Sequence, residues 1–95
     1  MSAAIEKPVQ EVAAALESGR LTINALDDGS GVILDVDSEQ LLTMNSTGLT
    51  LVQAISDGAR TEDQLVEVLT GCFEVDEARA REDIRGFVER VAEVL

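Results

Sequence analysis

The sequence predicts an α+β domain, in which a three-stranded antiparallel sheet packs on three helices and one further helix lies at the N-terminus. Apolar residues alternate with period two in the first half of the chain and recur at helical spacing in the second half. Turn residues separate the extended segments by short intervals, which indicates an antiparallel meander. The length of 95 residues allows a single core of modest size.

A helix is predicted before the first strand, between Pro8 and Ser18. Its apolar positions recur at helical spacing, and Gly19 is suited to the C-terminal cap. The chain is therefore divided into an N-terminal helical extension, residues 1–19, and a main domain, residues 20–95. The extension could cover the sheet, mediate a homodimer or occupy a ligand groove.

Three strands are predicted at residues 20–26, 32–36 and 39–44, because apolar and polar residues alternate there between turn sequences. In the third, "EQLLTM", alternation puts Leu42 and Met44 on one face and Leu41 and Thr43 on the other. A register shift of one residue would exchange the two faces, so the sequence leaves open which one points outward.

Three helices are predicted in the second half, with apolar positions centred on Leu49 to Ile55, Leu65 to Leu69 and Ala80 to Val94. Polar and glycine residues at their ends fit helix caps, including a capping box formed by Thr61 and Gln64. The residues predicted to cap these helices are Asn45, Thr47, Gly48, Asp57, Gly58, Thr61 and Asp76.

The composition excludes several classes of function. Nineteen acidic and seven basic side chains give a formal charge of −12, which disfavours binding to a nucleic acid backbone. The chain has no histidine and one cysteine, Cys72, which excludes imidazole-dependent triads and multi-cysteine metal sites. Cys72 itself is expected to be a small buried core residue. No apolar run is long enough to span a membrane, so we expect a soluble, cytoplasmic protein without membrane contact.

The order of four short motifs is more specific than any of them alone. The chain contains "LLTMNSTGLTLVQAI", then "DGARTEDQLVEVL", and "REDIRGFVERV" in its last helix. From residue 20 to 95 this layout resembles the pyrroloquinoline quinone (PQQ) biosynthesis protein D (PqqD) family. The residues that carry the resemblance are Met44, Asn45, Thr47 and Gly48; Asp57 and Gly58; Arg60 and Thr61; and Asp83, Ile84, Phe87 and Val88.

The resemblance implies a winged-helix-like domain that serves as a recognition element for ribosomally made precursor peptides. In that family the precursor's leader adds as an extra strand to the edge of the sheet beside the last helix, and the domain presents it to a modifying enzyme such as a radical SAM protein. The resemblance therefore implies a noncatalytic peptide chaperone without a cofactor, whose partners are the leader peptide and that enzyme.

Residues of the third strand and the last helix are predicted to contact the peptide. "EQLLTM" is uncharged from Gln40 onward and lacks the Lys or Pro that guards an edge strand. Arg81 and Arg85 share a helix face and either clamp a leader carboxylate or pair with Glu77, Glu82 or Glu89. The predicted peptide-binding residues are Gln40, Leu41, Leu42, Thr43, Met44, Arg81, Ile84, Arg85, Phe87 and Val88.

An acyl or peptidyl carrier protein is the alternative from another functional class. Such proteins are also small and acidic, and Ser38 follows Asp37 as a phosphopantetheine attachment serine would. That serine should open a long helix, however, whereas turn signals return at Asn45. A winged-helix DNA-binding protein would share the topology, but "TEDQLVEVLT" has no Lys or Arg to contact phosphates or guanine edges.

Overall fold

The structure is a computed structural model that describes residues 5–94. The described residues form four helices and three strands, and this confirms the predicted α+β fold class. The first helix begins two residues before its predicted start, and the strands differ from their predicted ranges by one residue at the ends. In chain order the elements are α1 (Glu6–Ser18), β1 (Leu21–Ala25), β2 (Gly31–Asp35), β3 (Gln40–Met44), α2 (Ser46–Ser56), α3 (Glu62–Cys72) and α4 (Glu77–Val94).

The three strands form an antiparallel meander in the order β1-β2-β3. Ile33 of β2 lies between Ile23 of β1 and Leu42 of β3 in the register of the sheet. Because side chains alternate across a strand, this row faces one side and its neighbouring rows face the other. Ile33 and Met44 are buried, so their side of the sheet is the one that packs on the helices.

The helix α1 belongs to the same hydrophobic core as the sheet and the other helices. It packs on α4, α2 and β1, and its residues Val9 and Val12 are almost completely buried. Gly19, with a φ of 82°, ends the helix in the left-handed conformation of a glycine cap. Packing rather than helix propensity thus stabilises this short Ala-rich segment. The division of the chain at residue 19 stays a prediction.

Capping interactions fix the ends of the later helices. Thr61 accepts a hydrogen bond from the Gln64 N–H at 3.2 Å, and the Gln64 side chain accepts one from the Thr61 N–H at 3.1 Å. Asp76 accepts from the Arg79 N–H at 2.8 Å. The end of α2 is a Schellman motif, in which Gly58 has a φ of 124° and the backbone N–H groups of Gly58 and Ala59 return to the last turn.

The predicted burial of Cys72 is wrong, because the thiol is exposed at the last residue of α3. Cys72 follows the buried Leu65 by seven residues, so helical periodicity turns it toward the same side, but it is the last residue of α3 and its side chain is exposed there. Phe73, one residue further, turns back toward the core and is half-buried.

A charged pair joins the start of β1 to the end of β2. Asp35 is completely buried on the helix-facing side of the sheet. The Arg20 guanidinium donates Nε to Oδ1 and Nη2 to Oδ2 of this carboxylate, both at 3.2 Å. Asp35 also accepts the N–H of Asp37 at 3.1 Å, which fixes the turn into β3. Together, these hydrogen bonds hold the pKa of the Asp35 carboxyl below its usual value, and the one from Arg20 has the largest effect.

We expect Asp35→Asn to remove a stabilisation that depends on pH. A carboxyl whose pKa is lower in the folded chain contributes stability above its ordinary pKa of 3.8, and this contribution is lost as the pH falls through the folded value. The urea midpoint of the variant should therefore lie below that of the wild type at pH 7, and the difference should shrink below about pH 4. Asp27→Asn, an exposed position in the β1–β2 turn, is the control and should keep the wild-type pH dependence. A difference that stays constant from pH 7 to pH 2 would contradict this role of Asp35.

Candidate functional site

The strand β3 lies at one edge of the sheet and pairs with β2 alone among the described strands. Its second edge is therefore not used by the sheet. Gln40, Leu41 and Thr43 are exposed, and none of the five residues of β3 is Lys, Arg or Pro. An edge of this composition lacks the side chains that usually prevent another extended chain from pairing with it.

The structure answers the question of which face of β3 points outward. Met44 is buried and Leu42 half-buried, so these two face the helices. Leu41 is 62% exposed and, with Thr43, lies on the opposite face. Of the five predicted residues on this strand, only Leu41 and Thr43 present their side chains on the outer surface of the sheet, and Gln40 is exposed at the strand's beginning.

A close contact joins the end of β3 to α4. Asn45 caps α2 by accepting the Gly48 N–H at 2.9 Å, which places Gly48 in the first turn of the helix. A Cβ at Gly48 would lie 2.8 Å from Cε1 of Phe87 and 3.2 Å from Cβ of Met44. The missing side chain of Gly48 thus provides the space in which the Phe87 ring packs.

The helix α4 presents three different sides. Ile84 and Val88 are completely buried and form its core side. With about 100° between successive residues, Arg81 and Arg85 lie to one side of this core stripe, and Phe87 and its neighbours lie to the other. The two arginines and Phe87 therefore do not belong to one groove.

Arg81 and Arg85 form ion pairs with the beginning of α3. Both bind Glu62, whose side chain is only 7% exposed, and the Arg85 Nε lies 2.9 Å from Glu62 Oε1. Arg81 also pairs with Asp63 at 2.9 Å and with Glu77 at 2.8 Å. The guanidinium of Arg85, followed by that of Arg81, lowers the pKa of the Glu62 carboxyl against the opposing effect of burial. Of the acidic partners that the sequence predicts, only Glu77 forms an ion pair with either arginine in residues 5–94, and it pairs with Arg81 within α4. The ion pairs with Glu62 and Asp63 connect α3 to α4.

A groove of about 560 Å³ lies between the first turn of α2 and the Phe87 side of α4. It begins where β3 ends, because Asn45 directly follows that strand. Phe87 is half-buried at its base, and Arg79 pairs with Asp83 across 3.1 Å on its wall. Arg90 is exposed at the same groove. The residues that line it are Asn45, Thr47, Gly48, Arg79, Glu82, Asp83, Gly86, Phe87 and Arg90.

These positions revise the lining that the sequence predicts. Phe87 lies at the groove, whereas Ile84 and Val88 have no exposed surface, because they form the core stripe of α4. Arg81 and Arg85 lie on the far side, because Glu62 draws them toward α3. The cations at the groove are instead Arg79 and Arg90. Helical spacing from Asp83 and Phe87 would have identified Arg79 and Arg90 in the sequence, since all four residues lie on the same side of α4.

Ser38 lies in the tight turn between β2 and β3. Its side chain donates a hydrogen bond to the Asp35 carboxylate, which contributes to the low pKa of that group. A phosphopantetheine attachment serine is expected to open a long helix, and Ser38 stands two residues before a strand instead. The structure therefore gives no support to the carrier-protein alternative.

No group of three or more Cys, Asp or Glu side chains in residues 5–94 is arranged to hold a metal ion. None of the described helices combines the length and the apolar composition that a membrane span requires.

The fold and the groove define a winged-helix-like α+β domain whose edge strand ends at a groove beside the last helix. The chain belongs to the coenzyme PQQ synthesis protein D (PqqD) family, whose model matches residues 30–94. Among solved structures, the chain is similar to TbiB1 in complex with the TbiA(beta) leader peptide, with a TM-score of 0.69 and 18% sequence identity. The match covers 78% of this chain and 84% of that one, and it supports the fold. No curated protein matches the chain.

We expect Gly48→Ala to destabilise the fold through its contact with Phe87. The new methyl group would lie 2.8 Å from the ring, so the ring or the first turn of α2 must shift. Overpacking of this kind costs about 1–3 kcal/mol, which urea unfolding would measure. Gly71→Ala in α3 is the matched control, because a Cβ there meets nothing within 4 Å. That variant should be neutral or up to about 1 kcal/mol more stable, since alanine favours a helix. Equal effects at the two glycines would contradict the packing role of Gly48.

Proposed function

We propose that the protein is a noncatalytic adaptor that binds the leader of a ribosomally made precursor peptide as a fourth strand on β3. The open, uncharged edge of β3 beside the groove carries this proposal. Main-chain hydrogen bonds to the edge supply affinity, and contacts of alternate side chains supply selectivity. The adaptor then delivers the peptide to a modifying enzyme, a radical SAM protein in the pathway for which the family is named.

The composition of β3 supports strand addition. Along the five uncharged residues from Gln40 to Met44, every second residue directs its backbone N–H and C=O groups to the free edge, since the others bond to β2. Leu41 and Thr43 offer side chains for cross-strand contacts on the outer face, whereas Leu42 and Met44 are turned toward the helices. We therefore propose that β3 contributes backbone pairing along its whole length and outer side-chain contacts at Leu41 and Thr43.

The groove beside α4 provides the selective part of the proposed site. The Phe87 ring offers an apolar surface at its base, and Asn45 and Thr47 add polar groups from the first turn of α2. Arg79 is already paired with Asp83, whereas no ion pair of Arg90 occurs among the described residues. Arg90 is thus the groove cation that is available for a leader carboxylate. This assignment replaces the predicted clamp of Arg81 and Arg85.

The similar solved structure supports leader binding as the function, because it contains TbiB1 in complex with a leader peptide. A ribosomally made precursor is present in the cytoplasm, where we propose that the protein acts. No cofactor is part of the proposal, since the adaptor holds and presents its peptide and leaves the chemistry to the partner enzyme.

The proposed site predicts which amides respond to the peptide. Titration of ¹⁵N-labelled protein with the synthetic leader of the precursor encoded beside its gene should shift the amide signals of residues 40–45 and 86–90 most strongly. Pairing with a strand changes the environment of the β3 amides directly. Signals of α1 and of the α3 face that holds Glu62 serve as the internal control. Shifts confined to those control regions would contradict the proposed site.

Arg90→Gln should weaken leader binding by up to about fivefold, because an exposed charged contact contributes about 0.2–1 kcal/mol. Fluorescence anisotropy of the labelled leader would measure the affinity, and raised salt should reduce the difference between variant and wild type. Arg85→Gln removes the same charge from the opposite side of α4 and is the control. Circular dichroism establishes that both variants are folded. A larger loss for Arg85→Gln than for Arg90→Gln would contradict the assignment of Arg90.

A further inference from the structure

The face of the sheet that points away from the helices is uncharged and partly apolar. None of its residues is fully buried, and Leu41 is 62% exposed. Val36, which continues the alternation beyond β2, is 48% exposed. Val32 and Leu34 lie beside Thr43 and Leu41 and are half-buried. We name Val32, Leu34, Val36 and Leu41 the outer patch. The remaining strand residues of this face are Thr22, Asn24 and Thr43.

Acidic residues border the outer patch at both ends. Asp27 and Asp28 lie in the β1–β2 turn, and Asp37 and Glu39 lie in the β2–β3 turn. Arg20 pairs with Asp35 and lies 3.5 Å from Asp37. Between Arg20 and Arg60 the chain has no Lys or Arg at all, so the rest of this border is acidic. A contiguous exposed apolar surface with a polar rim is typical of a protein interaction site.

We infer that the outer patch is the docking surface for the modifying enzyme, which binds it through an apolar area bordered by Lys and Arg side chains. This inference rests on the proposed function and adds the place where the second partner binds. Charge complementarity favours such a partner, because the acidic turns would steer a basic-rimmed surface to the uncharged patch.

The outer patch lies where an enzyme bound to it could also contact a leader peptide paired with β3. Leu41 and Thr43 belong to β3, whose free edge receives the leader in the proposed complex. An added strand would extend the outer face, and alternate side chains of the leader would lie beside Leu41. An enzyme seated on the patch therefore touches both adaptor and leader, and it binds the loaded adaptor more tightly than the empty one.

A second copy of this chain is a poorer occupant of the patch. Each chain has a formal charge of −12, and two patches placed face to face would bring together their acidic borders. Repulsion between like charges opposes that contact at low ionic strength. The enzyme is therefore the partner to which the inference commits.

The combined variant Val32→Thr, Leu34→Thr and Val36→Thr tests the inference. Threonine retains a high strand propensity, so the sheet is preserved while the apolar surface is reduced. The probe is the purified peptide-modifying enzyme encoded beside the gene, and calorimetry would measure its affinity with and without saturating leader. We expect the variant to bind the enzyme at least about tenfold more weakly and the leader within twofold of the wild type. The matched control is Val68→Thr, a half-buried valine on α3 that lines a separate groove between α2 and α3.

Each outcome separates the two proposals. If the wild type does not bind the leader, the proposed function fails. If the leader binds and the enzyme affinity of the variant equals that of the wild type, the outer patch is overturned and the adaptor function stands. If sedimentation shows a wild-type dimer that the combined variant abolishes, the occupant is a second copy and the inference is likewise overturned. Enzyme binding that weakens as salt is raised supports the basic rim.

Discussion

The contact between Gly48 and Phe87 is the constraint on which the site depends. It fixes the distance between the first turn of α2 and the last helix, and Met44 joins the same contact from the end of β3. A larger side chain at position 48 would widen this junction, whereas a smaller one at position 87 would let it collapse. Gly48 and Phe87, two motif positions that are almost forty residues apart in the chain, thus pack directly against each other. The groove keeps its shape because its base is part of the packing that supports the edge strand.

The sheet is used unequally on its two sides. Its inner face contributes Ile33 and Met44 to the core and is covered by α1 and α2. No helix of residues 5–94 covers its outer face, and the groove begins at Asn45, where β3 ends. The core contacts of the three strands are therefore made on the inner face, so that changes on the outer face leave the buried packing in place.

Periodicity predicted the fold well because each element has a single buried side. Alternation identified the strands, helical spacing identified the helices, and polar residues such as Asn45 and Thr61 marked their beginnings. The choice between the two faces of β3 could not be predicted, since alternation defines two faces without saying which meets the core. The burial of Cys72 was predicted wrongly because α3 ends at this residue, and the next residue, Phe73, packs against the core instead.

The candidate site was harder to predict, because it depends on how helices are placed relative to one another. The shared face of Arg81 and Arg85 was evident from their spacing. Their partner Glu62 lies 19 residues before Arg81 and 23 before Arg85 on another helix, so no local pattern reveals that they turn toward α3. Similarly, the helical repeat of α4 was clear, but only its packing shows that Ile84 and Val88 form the core stripe and that the side with Phe87 borders the groove.

The pairing of Glu62 with two arginines has a mechanical consequence. One nearly buried carboxylate holds guanidinium groups from two successive turns of α4, so α3 and α4 resist sliding past each other. A ligand that displaces α4 from its opposite side would therefore have to move α3 with it or break these ion pairs.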